Sequence, residues 1–209
     1  MKIILLGDSI TDMNRDRNQD YSAFSYGVGY PLFVQAELAK RFPHQCEVVN
    51  RGISGNRIVD IYARIKSDCW NLCPDVVSIL VGVNDVWHEV ALQNGVDIVR
   101  YKSVYGTLID ETKKLFPNAK IMLMEPFVLH GIEPDKSWQD FSQVMDYANV
   151  VRELADTKDC LFVPLQQTLD QSASAYGADY ILYDGVHPTT LGSKIIADEW
   201  IKAFLTTIK

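Results

Sequence analysis

The chain has 209 residues, of which 47% are hydrophobic and 22% are charged, and its formal net charge at pH 7 is −7. This length and composition predict one globular domain over residues 1–209 and exclude an intrinsically disordered chain. The acidic balance argues against a nucleic-acid partner, because binding to phosphates requires a basic face.

No apolar run in the sequence has the length of a transmembrane helix or of a secretory signal. Only residues 3–6 are apolar before a Gly-Asp pair, whereas a signal peptide carries roughly 7–15 apolar residues. We therefore expect no integral membrane association and a cytoplasmic location. The four cysteines, at positions 46, 69, 73 and 160, are accordingly expected to be reduced thiols.

Short apolar segments alternate along the chain with segments of helical periodicity. The short segments are mostly β-branched, which is typical of strands buried on both faces. The longer segments carry apolar residues at three- and four-residue spacing, which predicts amphipathic helices. The predicted strands are residues 3–6, 47–50, 76–81, 121–124 and 161–164, and the predicted helices are residues 31–42, 58–65, 104–115, 144–154 and 191–204.

This alternation predicts βαβ units, and hence an α/β domain with a parallel sheet covered on both faces. Ligands of such sheets bind at the carboxyl ends of the strands, so functional residues are expected in the loops that follow the strands. Two connections, residues 12–29 and 126–137, reach the length of about 12 residues above which loops are often functional.

Four of the loops after predicted strands contain groups suited to nucleophilic catalysis. Ser9 follows the first strand and is a candidate nucleophile. Gly52 follows the second strand and Asn84 the third, where each could donate a hydrogen bond to a developing negative charge. Near the C-terminus two residues separate Asp184 from His187, so a short turn would let the carboxylate orient the imidazole as a general base.

Each of these residues alone has an ordinary structural explanation, such as a helix cap or a turn. Together they supply a nucleophile, a base, an orienting carboxylate and oxyanion donors, which is the set found in serine hydrolases. The serine does not lie in a Gly-x-Ser-x-Gly motif, which excludes the nucleophile elbow of the α/β-hydrolases.

Four motifs resemble, in order, the blocks of the SGNH (GDSL) hydrolase family: Gly-Asp-Ser-Ile-Thr at residues 7–11, Gly52, Gly-Val-Asn-Asp at residues 82–85, and Asp-Gly-Val-His-Pro at residues 184–188. The resemblance spans nearly the whole chain. It implies a three-layer α/β/α sandwich with a five-stranded, parallel, flavodoxin-like sheet in the order 2-1-3-4-5, and no cofactor.

The resemblance also implies the role of each candidate residue. Ser9 would be the nucleophile, His187 the base and Asp184 the group that orients it. The backbone N–H groups of Ser9 and Gly52 and the side chain of Asn84 would form the oxyanion hole.

These observations predict a serine esterase that cleaves a small acyl group, such as acetyl, from a polar or carbohydrate alcohol through an acyl-enzyme. The polar segment at residues 14–20 favours a small acyl group, because it does not form an apolar lid. Two alternatives stay open at this point. One is a lysophospholipase or thioesterase for longer chains, and the other is a non-catalytic flavodoxin-like binding module. The longer chains would need an apolar trough, which could be built from Tyr21, Phe24, Tyr26, Phe127 and Trp138.

The remaining acidic residues of these motifs could suggest a metal ion. We predict no metal site, because the potential partners of Asp8, Asp12 and Asp85 are scattered, and Asp8 and Asp85 are better explained as carboxylates that fix turns. Trp87 and His88 follow the third block and could line the mouth of the pocket. The sequence leaves open whether the chain forms a homo-oligomer.

Overall fold

Five apolar segments form the central sheet of the structure, a computed structural model that describes residues 1–20 and 22–206. Every neighbouring pair of strands is parallel, and the order in the sheet is β2-β1-β3-β4-β5. This confirms the predicted fold class and strand order. The strands are β1 (Lys2–Gly7), β2 (Glu47–Gly52), β3 (Val76–Leu80), β4 (Lys120–Met124) and β5 (Leu161–Val163).

Helices cover the sheet on both sides. On one side α2 packs against α10, and on the other α5 packs against α3 and α7. Short 3-10 helices cover Ala23–Tyr26, Trp70–Leu72 and Pro134–Ser137. The α-helices are α1 (Ser9–Asp12), α2 (Tyr30–Arg41), α3 (Ile58–Asp68), α4 (Val83–Leu92), α5 (Ile98–Leu115), α6 (Trp138–Phe141), α7 (Val144–Thr157), α8 (Gln166–Tyr176), α9 (Ala178–Ile181) and α10 (Thr190–Leu205).

The predicted strands and five predicted helices are all present, with ends that differ by a few residues. The largest difference is in α5, which begins at Ile98 although the sequence pattern predicted a start near residue 104. Asp97 explains the earlier start, because its side chain accepts a hydrogen bond from the backbone N–H of Arg100 at 3.0 Å and so caps the helix. In the part of the chain that the structure describes, no helix combines the length and the apolar character needed to cross a membrane.

The backbone of the first turn after β1 packs closely against the end of β2. Helix α1 follows β1 directly and lies against the end of β2, where a Cβ atom at Gly52 would overlap the backbone nitrogen of Asp12. Asp8 begins this helix, because its side chain accepts a hydrogen bond from the backbone N–H of Ile10 at 2.9 Å. Gly52 therefore allows a close approach that places Ser9 at the carboxyl edge of the sheet.

We expect Gly52→Ala to lower the free energy of unfolding in urea by about 1–3 kcal/mol, the usual cost of overpacking a rigid site. Gly106→Ala is the matched control, because the nearest atom to an added Cβ is the flexible Lys158 Cε at 3.3 Å. That helical position should gain up to about 1 kcal/mol from the better helix former. Equal unfolding midpoints for the two variants would contradict the close approach at Gly52.

Candidate active site

Ser9, Asp184 and His187 meet at the carboxyl edge of the sheet. Ser9 is the first residue of α1, and the other two lie in the loop between α9 and α10. The Oγ atom of Ser9 is 2.8 Å from Nε2 of His187, and Nδ1 of His187 is 2.7 Å from Oδ2 of Asp184. The structure thus forms an unbroken chain of hydrogen bonds from a hydroxyl through an imidazole to a carboxylate.

Asp184 also fixes the loop that carries His187. Its Oδ1 atom accepts hydrogen bonds from the backbone N–H groups of Val186 at 2.9 Å and His187 at 2.7 Å. One carboxylate oxygen therefore closes the turn while the other oxygen holds the imidazole. This double role explains why a spacing of two intervening residues suits the pair.

Charges in this loop stabilise each other. Burial alone would lower the pKa of His187, but the hydrogen bond and charge of Asp184 outweigh burial and raise that pKa above 6.5. For Asp184, burial favours the neutral acid, and the bonds from the His187 ring and from two backbone N–H groups more than compensate, so that its pKa is lowered. Asp184 is therefore ionised at neutral pH, and His187 is an imidazole of increased basicity.

A second carboxyl group, that of Asp8, belongs to the residue directly before Ser9. Asp8 is fully buried, and burial raises its pKa to about 7, although the bond from Ile10 and the nearby His187 act in the opposite direction. Within the described residues its Oδ2 atom has no hydrogen-bond partner. Asp85 is also buried, and its carboxylate accepts a bond from the backbone N–H of Ile58 at 3.1 Å. Both carboxyl groups thus hold backbone turns.

Two of the predicted oxyanion donors lie in the first turns of helices that follow strands of the sheet. The backbone N–H of Ser9 lies in the first turn of α1, where helical N–H groups have no acceptor within the helix. Asn84 lies in the first turn of α4 and is almost fully buried. One N–H of its amide donates to the carbonyl oxygen of Asn56 at 3.2 Å, which leaves the second N–H for a ligand.

Gly52 is placed differently from the prediction. Its backbone N–H donates to Oδ1 of Asn50 at 2.8 Å. The amide nitrogen of Asn50 in turn donates to the carbonyl oxygens of Thr11 at 2.7 Å and Tyr26 at 2.9 Å, which fixes the orientation of this side chain. The N–H of Gly52 is therefore already used, and the contribution of this residue is the close packing of α1.

Gly55 offers the donor that Gly52 does not. It has a φ of 80°, and no residue in the described ranges accepts a hydrogen bond from its backbone N–H. The loop before it is tied to the nucleophile strand, because the N–H of Ile53 donates to the carbonyl oxygen of Gly7 at 3.0 Å. The sequence did not single out Gly55, because both glycines of Gly-Ile-Ser-Gly fit the motif equally well. The two differ in whether the backbone N–H already has an acceptor.

Two aromatic rings lie against the imidazole of His187. Tyr183 is 53% exposed, and its ring stacks on that of His187 with centroids 5.7 Å apart and an interplanar angle of 15°. The ring of Trp87 lies against that of His187, with centroids 6.0 Å apart and an interplanar angle of 51°. His88 approaches Gly55, with its Nε2 3.9 Å from the position that a Cβ would take there.

Among the described residues, no ring contact joins any two of the aromatic side chains that could build an apolar trough for longer acyl chains. Phe127 has 0% exposure and belongs to the core, so it does not line a surface crevice. Trp138 stacks on the exposed His130 at 3.6 Å, and Phe24 is 74% exposed. Tyr26 is half-buried against the core, and Tyr21 lies outside the residues that the structure describes.

Similar proteins share this architecture over almost their full length. An acetylxylan esterase from Geobacillus stearothermophilus is 35% identical over 213 aligned positions, which cover 99% of this chain and 93% of that protein. A crystal structure of an acetylxylan esterase from the same organism has a TM-score of 0.86 at 33% identity, and the match covers 97% of this chain and 93% of that one. A Parabacteroides merdae structure described as a GDSL-like lipase has a TM-score of 0.90 at 36% identity, covering 97% and 94%.

Three further structures of the Geobacillus esterase are of catalytic mutants. In these mutants a serine, an aspartate or a histidine is replaced by alanine, and the aspartate and the histidine lie three positions apart. The model of the GDSL-like lipase/acylhydrolase family matches residues 5–195 of the present chain. The chain therefore belongs to the GDSL-like lipase/acylhydrolase family and is a carboxylic ester hydrolase.

Proposed function

We propose that this protein is a serine esterase that removes acetyl groups from a carbohydrate or a similar polar alcohol, with Ser9 as the nucleophile. The observation that carries the proposal is the hydrogen-bonded chain from Ser9 through His187 to Asp184. The same three residue types, with the same spacing between aspartate and histidine, are the ones replaced in the catalytic mutants of the acetylxylan esterase.

The geometry supports a reaction in two steps. Nε2 of His187 takes the proton of Ser9 as Oγ attacks the ester carbonyl, and then gives that proton to the departing alcohol oxygen. The acyl group is left on Ser9. In the second step His187 takes a proton from water, the hydroxide attacks the acyl-enzyme, and the proton returns to Ser9 as acetate leaves. Asp184 stays ionised and stabilises the imidazolium in both steps.

Three N–H groups could receive the negative oxygen of the tetrahedral intermediate. We assign them to the backbone of Ser9, the backbone of Gly55 and the amide of Asn84, and Gly52 no longer belongs to this set. Loss of one such donor typically costs on the order of 10²–10³ in kcat. No step requires a cofactor, since the proton and the electron pair move between the ester, water and the side chains named here.

Three observations favour a small acyl group on a sugar over a long acyl chain. The acetylxylan esterase is a full-length relative. The exposed face of Tyr183 beside His187 is suited to stacking against a sugar ring, since such rings present apolar C–H faces. A long chain would need apolar surface worth roughly 0.8 kcal/mol per methylene, and Phe127 does not provide it.

We also propose that the protein is cytoplasmic. A cytoplasmic location agrees with four cysteines that are all free thiols in the structure, and Cys69 among them is buried. The substrate is proposed to be a small molecule, such as an acetylated oligosaccharide.

We expect kcat/KM to fall along a series of p-nitrophenyl esters from two to eight carbons. The reason is that a longer acyl chain gains binding free energy only if its methylenes leave water for an apolar surface, and we expect no such surface at Ser9. The same enzyme should release acetate from acetylated xylo-oligosaccharides. Ser9→Ala is the control, and its residual activity should be no more than binding and the oxyanion donors supply. A kcat/KM that rises with chain length would instead support the lysophospholipase or thioesterase alternative.

We expect the acid limb of the profile of kcat/KM against pH to lie above pH 6.5. His187 must be neutral to accept the Ser9 proton, and its raised pKa means that it becomes protonated at a higher pH than free imidazole does. Asp184→Asn should reduce kcat and also move the acid limb to lower pH, because the charge that raises the pKa of His187 is lost. An acid limb that does not move would show that Asp184 does not control this titration.

Two further variants test which residue is responsible for the acid limb of the pH profile. Asp8→Asn keeps an oxygen acceptor for Ile10 but removes a carboxyl group whose pKa is about 7, so a limb that persists in this variant belongs to His187. His44→Asn removes a histidine at the end of α2, far from Ser9 in the fold, and should leave the whole profile unchanged.

A further inference from the structure

One buried carboxylate outside the triad gathers three donors. Asp12 is 2% exposed, and its Oδ2 atom accepts hydrogen bonds from the backbone N–H of Ser54 at 2.9 Å and from the hydroxyl of Ser54 at 3.0 Å. The guanidinium of Arg17 forms a close ion pair with the same oxygen. Burial favours the neutral acid, but these donors outweigh it and lower the pKa of Asp12, so the carboxylate is charged at neutral pH.

The position of Asp12 joins two parts of the site. It is the last residue of α1, the four-residue helix that begins with Ser9. Its partner Ser54 immediately precedes Gly55, whose N–H we assign to the oxyanion hole. The carboxylate therefore links the helix that carries one oxyanion donor to the loop that carries another.

Other contacts hold this loop on both sides of Ser54, because Asn56 accepts hydrogen bonds from the Asn84 amide at 3.2 Å and from Arg64 at 2.7 Å. Ile53 is bonded to Gly7 at 3.0 Å, and the N–H of Asn56 returns to the carbonyl oxygen of Ile53 at 3.1 Å. Between them, Ser54 is exposed and Gly55 adopts a left-handed φ of 80°, a conformation that glycine takes without steric cost. Among the described residues, Asp12 provides the contacts that fix Ser54 itself.

We propose that Asp12 is a positioning residue that sets the distance between the N–H of Ser9 and the N–H of Gly55, an inference that rests on the proposed function. Oxyanion donors act because they are already oriented when charge develops on the substrate, and a displacement of about 1 Å can cost 10²-fold in rate. Asp12 touches neither substrate nor nucleophile in this scheme. It acts through Ser54.

The proposal predicts a loss confined to the transition state. Asp12→Ala should lower kcat roughly 10²-fold while KM stays within about twofold, because the ground-state carbonyl makes little use of the donors. Asp12→Asn should lower kcat only about tenfold, since its amide oxygen can still accept from Ser54 but loses the ion pair with Arg17. Ser54→Ala keeps the backbone donor and should be affected less than Asp12→Ala.

Binding of methylboronic acid separates positioning from damage to the fold. This acid forms a tetrahedral adduct on an active-site serine, and one boronate oxygen occupies the oxyanion hole. Its inhibition constant should rise in Asp12→Ala and Asp12→Asn by the same factors by which kcat falls. The acid limb of the pH profile should not move, because His187 and Asp184 are not touched.

Glu125→Gln is the matched control. Glu125 is also a buried carboxylate, which accepts from the backbone N–H groups of Leu165 at 2.7 Å and Gln166 at 3.0 Å and pairs with Arg152 at 3.1 Å. It holds the start of α8 rather than the Gly55 loop. Its loss should lower the melting temperature but leave kcat and boronic acid binding unchanged.

Two results would overturn the proposal: an unchanged inhibition constant and kcat in both Asp12 variants, or an equal loss of kcat in Glu125→Gln. The proposed esterase function is tested separately, by the activity of Ser9→Ala. If Ser9→Ala keeps full activity, the proposed function is wrong. If Ser9→Ala is inactive and the Asp12 variants change only KM or the melting temperature, only the positioning role is wrong.

Discussion

The contact of α1 with the end of β2 is the constraint on which the site depends. Gly52 has no side chain, so the backbone of α1 can lie directly against this strand, and Asn50 ties the two together through the carbonyl oxygen of Thr11. Ser9 therefore lies on a short turn that these contacts fix. His187 comes from the other end of the chain, and its Nε2 lies 2.8 Å from Oγ of Ser9. Parallel strands make this meeting possible, because all their carboxyl ends lie at one edge.

Most of the fold could be predicted because its signals are local. Buried strands such as β1 and β3 read as short apolar runs, and helices such as α7 carry apolar residues at helical spacing. Helix α8 was not predicted, since Leu169 is its fully buried residue and one apolar position makes no periodic pattern. Helix α4 was not predicted either, since its Gly-Val-Asn-Asp start was expected in a loop after the third strand, although Val83, Val86 and Val90 have helical spacing.

Sequence motifs identified the candidate residues of the site, but they did not identify the contacts that these residues make. Ser9, Asp184 and His187 stand in short motifs whose internal spacing already allows the observed bonds. Gly52 and Gly55 could not be told apart in this way, because the choice depends on a hydrogen bond from Gly52 to Asn50. Asp12 carried no signal either. Its role depends on a contact with Ser54, 42 positions away, which only the three-dimensional structure brings together.

The central claim is that Ser9 carries the acyl group between the two steps. Acid quenching of the enzyme during turnover of p-nitrophenyl acetate, followed by mass spectrometry of the digested chain, tests this directly. The account predicts an acetyl group on the peptide that contains Ser9, at no more than one per chain, and none in Ser9→Ala. Deacylation depends on His187, so Asp184→Asn should retain the acetyl group for longer. If the enzyme releases acetate steadily over many turnovers, yet samples quenched within the first turnover contain no acetylated Ser9, the account is contradicted.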